Sequence, residues 1–302
     1  MTTTRTTPAA RSAAITGAGS GLGRAIAIGF ADKGYRVFGT ARNPEEIEEV
    51  QRATHGLAQL ANCDITDQEA VRRWAEDTSD ALGKTGLDVL VNNAGILTPG
   101  PLEVLSIDAV RREFEVNVFG SLAVINAFLP ALRRAHGRIV QIGSMTGRLP
   151  LPFNGPSSAS KAALEAFADV YRGELKPFGV DFVMAQPGNM ATGGPAKTEA
   201  ALKRAAESMT PQQRELYGDT FAAFTAAFNA MQSSGLDAAA AAAGVIEAAE
   251  RKPAPIRVPI GPDAEEILKL VHEQTDEELD DLRMRLVGLQ AQPSGEAQGA
   301  SR

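Results

Sequence analysis

The sequence predicts a single α/β domain with a doubly wound, mostly parallel seven-stranded sheet and helices on both faces. First, the chain has 302 residues, of which 44% are hydrophobic and 22% charged, so it is long enough for one large core. Second, short β-branched or apolar runs alternate with helix-length amphipathic stretches from residue 12 onward, as in βαβ units. Third, glycine and proline mark the ends of these segments.

The elements follow in order along the chain. Strands are predicted at 12–17, 36–41, 57–63, 87–93, 137–144, 180–188 and 255–261. Helices are predicted at 22–33, 44–54, 67–82, about 106–134 and 157–176. One predicted helix thus lies between each two consecutive strands from the first to the sixth, which favours parallel neighbours in the sheet.

One longer interval, residues 189–254, separates the sixth and seventh strands. It is helical and alanine-rich, and in a doubly wound sheet it lies over the carboxyl ends of the strands, where ligands bind. We therefore predict a substrate-covering lid there. Within it, the run at 237–244 is expected to be a packed structural helix, because alanine permits close approach. The domain is expected to span 11–290, with disordered tails at 1–10 and 291–302.

Charge and composition exclude several classes of function. The net charge is −7 with no dense Lys/Arg cluster, which disfavours nucleic acid as a partner. The single cysteine, Cys63, cannot form an internal disulfide, and the three histidines show no metal-ligand spacing. No secretory signal or membrane span is expected. These features favour a cytoplasmic location.

A glycine-rich turn directly follows the first predicted strand. In "TGAGSGLGR", Gly17, Gly21 and Gly23 have G-x-x-x-G-x-G spacing just before a helix. Glycines let the backbone turn tightly and approach a pyrophosphate, and the helix N-terminus supplies unpaired N–H donors. A structural strand-to-helix turn would show the same residues, so the turn alone is a weak signal.

Seven motifs in order make the signal specific. "TGAGSGLGR", "CDITD", "NNAG", "EVNVFG", "IGSMTG", "SASKAAL" and "PGNMAT" resemble the short-chain dehydrogenase/reductase (SDR) family over about residues 12–192 and the last strand. The resemblance implies a Rossmann-type fold and a nicotinamide cofactor. It also implies that the cofactor contacts the following residues: Gly17, Ser20, Gly21, Leu22 and Gly23 at the phosphates; Asp64 and Ile65 at the adenine; Asn93, Ala94 and Gly95 at its ribose; Pro187, Gly188 and Thr192 at the nicotinamide end.

Several of these residues also have ordinary structural explanations. Asp64 would equally cap the helix that follows, and the "NNAG" run would equally be a turn that ends a strand.

The end of the second strand bears on the choice of cofactor. An NAD-specific enzyme places an acidic residue against the ribose 2′-hydroxyl, but Thr40 and its neighbours are not acidic. Arg42 follows, and its guanidinium is suited to bind a 2′-phosphate. NADP(H) is therefore favoured over NAD(H). The alternative for Arg42 is a surface pair with Glu45 or Glu46.

The catalytic positions show one departure from the family. The resemblance implies that Ser144 hydrogen-bonds the substrate oxygen, that Asn117 holds a water contacting Lys161, and that Lys161 also holds the nicotinamide ribose. Four residues before Lys161 the family has a tyrosine that exchanges the proton, but this chain has Ser157. An aliphatic hydroxyl is a far weaker acid than a phenol. A bound water between Ser144, Ser157 and Lys161 is one substitute, and Tyr217 swinging in from the lid is another.

Four functions remain open at this point. The first is an oxidoreductase that transfers hydride between nicotinamide and a carbonyl or alcohol carbon, with an inactivated or atypical site at Ser157. The second is a reductase of imines, iminium ions or activated alkenes, which needs no tyrosine proton. The third is a non-redox cyclase or isomerase, and the fourth an NADP(H)-binding regulator without turnover.

Apolar residues near these positions suggest the substrate class. Met145, Leu149, Leu151 and Phe153 follow Ser144, and the lid carries Phe221, Phe224 and Phe228. This is similar to family members that act on bulky apolar alcohols and ketones, although phenylalanines at this spacing would equally pack the lid. The resemblance also implies a homodimer or homotetramer paired through helices at about 106–134 and 157–176. The leucine-rich segment 262–289 would cover another subunit or the lid.

Overall fold

The computed structural model describes residues 10–191 and 194–289. Its strands are β1 (Ser12–Ile15), β2 (Arg36–Ala41), β3 (Ala58–Asn62), β4 (Val89–Asn92), β5 (Arg138–Ile142), β6 (Asp181–Pro187), β7 (Met190–Ala191), β8 (Leu236–Asp237) and β9 (Arg257–Ile260). Its α-helices are α1 (Gly21–Asp32), α2 (Pro44–Ala53), α3 (Gln68–Leu82), α4 (Ile107–Phe114), α5 (Ser121–Ala135), α6 (Gly155–Leu175), α7 (Gly194–Ser208), α8 (Pro211–Ser233), α9 (Ala238–Glu250), α10 (Pro262–Glu273) and α11 (Asp276–Leu286).

Seven strands form one parallel sheet in the order β3-β2-β1-β4-β5-β6-β9. The prediction of a doubly wound, seven-stranded parallel sheet is therefore confirmed. The order reverses between β1 and β4, which pair from Ala13 opposite Val89 to Ile15 opposite Val91. Ligands of doubly wound sheets bind beyond the carboxyl ends of the strands at such a reversal.

Helices cover both faces of the sheet because its strands present apolar side chains to both sides. In β1, Ala13 and Ile15 face the core that α1 and α9 cover, whereas Ala14 faces the core that α3, α5 and α6 cover. The alanine-rich helix α9 packs directly against α1, and Ala241 and Ala242 are buried. The expectation of a packed structural helix at 237–244 is confirmed.

The segment between β6 and β9 divides into two parts. Helix α9 belongs to the layers around the sheet, so it is not part of a lid. Helices α7 and α8 instead form a separate cluster around Phe221, Phe224 and Phe228, which are buried and packed against each other. Helices α7 and α8 and the short β7–β8 pair are thus the part of 189–254 outside the layers of the sheet, and their role as a lid stays a prediction.

The C-terminal helices α10 and α11 pack onto their own chain. Leu279 and Leu282 of α11 share a buried cluster with Met145 and Leu149, and Val287 joins the cluster of the α8 phenylalanines. The end of this segment thus contacts the α8 cluster of its own chain, and coverage of another subunit by 262–289 stays a prediction.

Helices α4 and α5 form one continuous helical segment from Ile107 to Ala135, which follows the loop after β4. Residues Glu115–Gly120 form a π-helical stretch between α4 and α5. The helix from Ile107 to Ala135 is long and apolar enough to cross a membrane, and 56% of its most apolar window is buried inside the protein. A buried core helix passes the same test, so the absence of a membrane span stays a prediction.

Strand β9 forms one edge of the sheet and is held by charged groups. Arg257 donates to the buried Glu165 at 2.8 Å and to both oxygens of Asp169 at 2.9 Å, which ties the strand to α6. Pro259 lies opposite Gln186 in the register with β6. A proline has no N–H to donate, so it suits an edge strand.

Candidate active site

The β1–α1 turn has the geometry of a phosphate-binding site. Gly17 and Gly21 have φ of +66° and +55°, where residues with a Cβ are strained. A Cβ on Gly23 would lie 2.2 Å from the carbonyl oxygen of Gly17. The first turn of α1 has no acidic residue, and the side chain of Ser20 at its N-cap does not cap the helix. The helix N–H groups are thus left for an anion, so the residues present fit a pyrophosphate.

Thr16, which sequence reasoning missed, holds this turn to the end of β4. It is fully buried, and its hydroxyl accepts the N–H groups of Asn93 and Ala94 at 2.8 and 2.9 Å. The Asn93 amide donates back to the Thr16 carbonyl at 3.0 Å. The side chain of Asn93 therefore positions the glycine turn, and its predicted contact with ribose stays a prediction.

Arg42 lies at the end of β2 with its side chain 65% exposed, and its guanidinium is 3.8 Å from the Asp64 carboxylate. The expected alternative partners, Glu45 and Glu46, form no ion pair with it within the part of the chain that the structure describes. Thr66 donates its N–H and hydroxyl to Asp64 at 3.0 and 2.8 Å. Burial raises the pKa of Asp64, but the hydrogen bonds from Thr66 and the charge of Arg42 lower it by more, so the pKa is lowered overall.

The two residues expected at the adenine are Asp64 and Ile65, and the structure shows what each does in the fold. Asp64 does not cap the next helix, because Asp67 is the N-cap of α3. Ile65 is a buried core residue, and its side chain would lie 2.9 Å from a Cβ on Gly120. Ile65 is thus mainly a packing residue.

A cavity of about 960 Å³ brings the predicted site residues together. Its lining includes Leu22, Arg42, Asn93, Gly95, Ser144, Ser157, Lys161, Pro187 and Gly188, together with Thr198, Arg204 and Phe228 of α7 and α8. Gly17, Ser20, Gly21 and Gly23 form the adjoining turn. Thr192 lies outside the described residues.

The side chains of Ser144 and Lys161 come from different elements, and each is positioned by hydrogen bonds. The Ser144 hydroxyl, just beyond β5, accepts the N–H and the hydroxyl of Thr146 at 3.1 and 3.0 Å. The Lys161 ammonium, on α6, donates to the carbonyl of Ile142 at 2.9 Å. Burial lowers the pKa of Lys161 to about 8, against the opposing effect of the Glu113 charge. A lysine with a lowered pKa in a cavity is typical of a functional site.

Ser157 lies one helical turn before Lys161, is 9% exposed, and lines the same cavity. None of the three tyrosines, all within the described residues, lies there. Tyr35 bonds Glu250, Tyr171 bonds Asn126, and Tyr217 donates to Glu103. Tyr217, the candidate expected to swing in from the lid, is thus held by another side chain.

Asn117 joins three segments through one side chain. Its Oδ1 accepts the N–H of Ile96 at 2.8 Å, and its Nδ2 donates to the Ile96 carbonyl and to the Ser160 hydroxyl, both at 3.0 Å. Nδ2 also lies 3.3 Å from Oε1 of Glu113. Ser160 in turn donates to the carbonyl of Ser157 at 2.8 Å, so it is structural. The water expected beside Asn117 stays a prediction.

Glu113 is the second residue that sequence reasoning missed. It is 0% exposed although it lies in α4 beside two exposed arginines. Burial raises the pKa of its carboxyl, and the groups that oppose the rise are Thr98, the Lys161 ammonium and the Ser157 hydroxyl. A signal was present in the sequence, because Glu113 precedes Asn117 by four residues and thus shares its helix face.

A second cavity of about 630 Å³ adjoins the first and shares Met145, Thr146 and Asn189 with it. Apolar side chains dominate its lining, among them Leu149, Leu151, Met231, Leu236, Ile267, Leu270, Leu282 and Leu286. Phe153 instead packs edge to face on Phe221 and Phe224, which stack on each other. The expected packing role thus holds for these phenylalanines, whereas Met145, Leu149 and Leu151 line an apolar space.

The profile of the family described as short chain dehydrogenase matches residues 11–203 of this chain. The chain is 35% identical over 257 residues to the NADPH-dependent 3-dehydrocapnine reductase of Ornithobacterium rhinotracheale, covering 83% of this chain and 88% of that protein. It is 30% identical over 249 residues to the 3-ketodihydrosphingosine reductase of Bacteroides thetaiotaomicron, covering 82% and 87%.

A solved structure is also similar over most of its length. It is a short chain dehydrogenase from Burkholderia cenocepacia in complex with NADP, with a TM-score of 0.68 and 27% identity. The similarity covers 91% of this chain and 97% of that one. Sequence and structure thus agree on one family.

Proposed function

Since this chain belongs to the short chain dehydrogenase family, we propose that it transfers hydride between NADP(H) and the carbonyl or alcohol carbon of a bulky apolar substrate. One observation carries this proposal. A single cavity is lined by Arg42, Ser144 and Lys161, and it adjoins a second, apolar cavity. Cofactor and substrate would thus meet where the two cavities share Met145, Thr146 and Asn189.

NADP(H) is the cofactor that the residues favour. When bound, it supplies or accepts the hydride. The glycine turn and the uncapped N-terminus of α1 would hold its pyrophosphate, and Arg42 would hold the 2′-phosphate. The end of β2 has no acidic residue of the kind that would bind the ribose 2′-hydroxyl of NAD. One relative is named as NADPH-dependent. The NADP in the Burkholderia structure supports the same choice.

The carbonyl oxygen would lie against Ser144, with the ammonium of Lys161 nearby. Both relatives are named as reductases, and the name of one specifies a 3-keto compound. The apolar cavity favours a long or bulky hydrocarbon on one side of that carbonyl. We propose that Ser157 occupies the position where the family has its tyrosine, so the proton must come from another group.

A second candidate is the reduction of an iminium ion. Such a substrate is already cationic, so hydride alone completes the reaction and no phenol is needed. Asp237, Asp263 and Glu266 line the apolar cavity, and none of its described lining residues is a lysine or an arginine. This balance of charge favours a substrate that carries a cation beside its apolar part.

The first experiment is a fluorescence titration with NADPH and with NADH, for the wild type and for Arg42→Ala. We expect NADPH to bind more tightly, and Arg42→Ala to weaken NADPH binding about tenfold or more, since charge-assisted bonds to a phosphate contribute about 1.5–3 kcal/mol. Binding of NADH should change little. Arg52→Ala, at an exposed arginine of α2, is the matched control.

Turnover is then measured on a panel of apolar ketones and iminium ions, for the wild type and for Ser157→Tyr. Ketone reduction by the wild type supports the first candidate, and turnover limited to iminium ions supports the second. If neither NADPH nor NADH binds, the assignment built on Gly17, Arg42 and Lys161 is wrong.

A further inference from the structure

Glu113 is a buried carboxyl in a helix, α4, that otherwise has several exposed residues. Its side chain is 0% exposed, while its neighbours Arg111 and Arg112 are exposed. Its Oε1 is 3.3 Å from the Asn117 amide, but its Oε2 is buried and has no well-aligned hydrogen-bond partner among the described residues. A buried carboxylate without partners is costly, so such a group is either neutral or functional.

The surroundings of the Glu113 carboxyl favour the protonated form. The Lys161 ammonium on α6 opposes the rise in the pKa of Glu113, and Thr98, Ser157 and Asn117 supply neutral polar groups. Burial outweighs them and raises the pKa of Glu113. A neutral carboxyl has one O–H to donate, and its Oε2 is the oxygen without a partner.

Two hydroxyl groups act on this carboxyl and also line the cavity of the candidate active site. Thr98 and Ser157 both lie close enough to Glu113 to affect its pKa, and both line the cavity that contains Ser144 and Lys161. Of the two, Ser157 lies one turn before Lys161 on α6. Helix α6 packs against α4, which carries Glu113, so Ser157 lies at the cavity and on the helix beside that buried acid.

A serine alone is too weak an acid to protonate an alkoxide efficiently. It can relay a proton, however, because a hydroxyl gives one proton while it accepts another. The relay then depends on the acidity of the group behind the serine, here a carboxyl.

We propose that, in the ketone reduction assigned above, on which this inference rests, Glu113 supplies the proton that a tyrosine would otherwise supply, and that Ser157 relays it. The carbonyl carbon gains the hydride and the C=O π pair moves onto oxygen. That oxygen takes the proton of Ser157 Oγ, and Oγ takes the proton of the Glu113 carboxyl. Glu113 is left as a carboxylate that pairs with the Lys161 ammonium until a proton from solvent restores it.

The test compares ketone reduction at saturating NADPH for the wild type, Glu113→Gln, Ser157→Ala and the double variant. Glu115→Gln is the matched control, because it makes the same change at an exposed position two residues away. We expect Glu113→Gln to lower kcat about 100-fold, in the range of general acid catalysis, with NADPH binding unchanged. Ser157→Ala should lower kcat by a similar factor, and the double variant should be no slower, because both residues serve one path.

The pH profile separates a proton source from a structural residue. In the wild type, kcat for reduction should fall as pH rises through the pKa of Glu113, because the acid is lost. Glu113→Gln and Ser157→Ala should both lack this limb and retain the one that belongs to Lys161. If Glu113→Gln does not fold, the profiles of the wild type and Ser157→Ala decide the question alone.

Three results would overturn the relay: kcat of Glu113→Gln within about threefold of the wild type, a retained limb in either variant, or losses that multiply in the double variant. Failure of the proposed function is distinguishable, because it shows in the wild type as no binding of NADPH or no reduction of any ketone. The relay would then fall with it.

Discussion

At the scale of the residue, Lys161 shows how the site affects stability. Its ammonium is largely removed from water and donates to the Ile142 carbonyl, and burial lowers its pKa from 10.5 to about 8. A group whose pKa is lowered on folding favours the folded state above its unfolded pKa, and this contribution is lost as pH falls through the folded pKa. Lys161 therefore opposes folding at neutral pH.

We expect Lys161→Met to remove this pH dependence. Between pH 8 and 9.5 the free energy of unfolding of the wild type should rise by about 1.5 kcal/mol relative to Lys161→Met, from about 1.4 kcal/mol per pKa unit. Denaturant unfolding at both values of pH measures the difference. Lys84→Met, at an exposed lysine, should show no such change, and an equal response in Lys161→Met would contradict the prediction.

Residue types predicted the candidate site only in part. The glycine turn, Arg42, Ser144, Ser157 and Lys161 were identified because motif spacing names them, and the structure places them at one cavity or at its edge. Glu113 was missed because it occurs in "RREFEVN", where charged neighbours indicate an exposed face. Its four-residue spacing from Asn117 was a signal, but burial of the carboxyl also depends on the packing of α6 against α4.

At the scale of the element, α8 depends on its aromatic side chains. Phe224 is fully buried. Its ring centroid lies 5.2 Å from that of Phe228 and 5.4 Å from that of Phe153. Phe153 itself has φ of +58°, an uncommon conformation for a bulky residue. The contact with α8 thus fixes both the helix and the loop before α6.

We expect Phe224→Ala to destabilise this cluster by about 3–5 kcal/mol, from lost burial and the cavity left behind. Hydrogen exchange should show faster opening of α7 and α8, and KM for an apolar substrate should rise. Leu216→Ala, at a 61% exposed position of the same helix, should change stability by less than about 0.5 kcal/mol. Uniform loss of protection across the sheet would contradict a local role.

Elements with strong patterns were predicted to within a few residues. The seven strands and the helices α1, α2, α3 and α6 agree with the alternation of apolar runs and amphipathic stretches. Helix α9 shows the limit of such patterns, because its alanine-rich sequence would equally suit a lid helix and only its packing against α1 places it in the layers of the sheet. Sequence period alone does not tell which surface a helix contacts.

At the scale of the whole molecule, the face formed by α5 and α6 is exposed and apolar. Phe119, Phe167, Val170 and Phe178 are 53%, 38%, 54% and 47% exposed. A groove of about 480 Å³ between the two helices is lined by Leu122, Leu129, Phe167 and Val170 among others. Such a patch favours association, and pairing of copies of this chain through these helices stays a prediction.

We therefore expect a homodimer or homotetramer in solution, measured by size-exclusion chromatography with light scattering. A double variant with Phe167→Glu and Val170→Glu should shift the mass toward that of a monomer, because burying two carboxylates in an interface is costly. Leu216→Glu on α8 serves as the matched control and should leave the mass unchanged. A monomeric wild type would contradict the prediction.

The edge strand β9 limits how the molecule can aggregate. An edge strand normally offers unpaired N–H and C=O groups that recruit a strand from another chain. Here the strand has only four residues, Pro259 withholds one donor, and Arg257 commits its charge to Glu165 and Asp169. Fibre-like growth by addition of strands is therefore blocked at this end of the sheet.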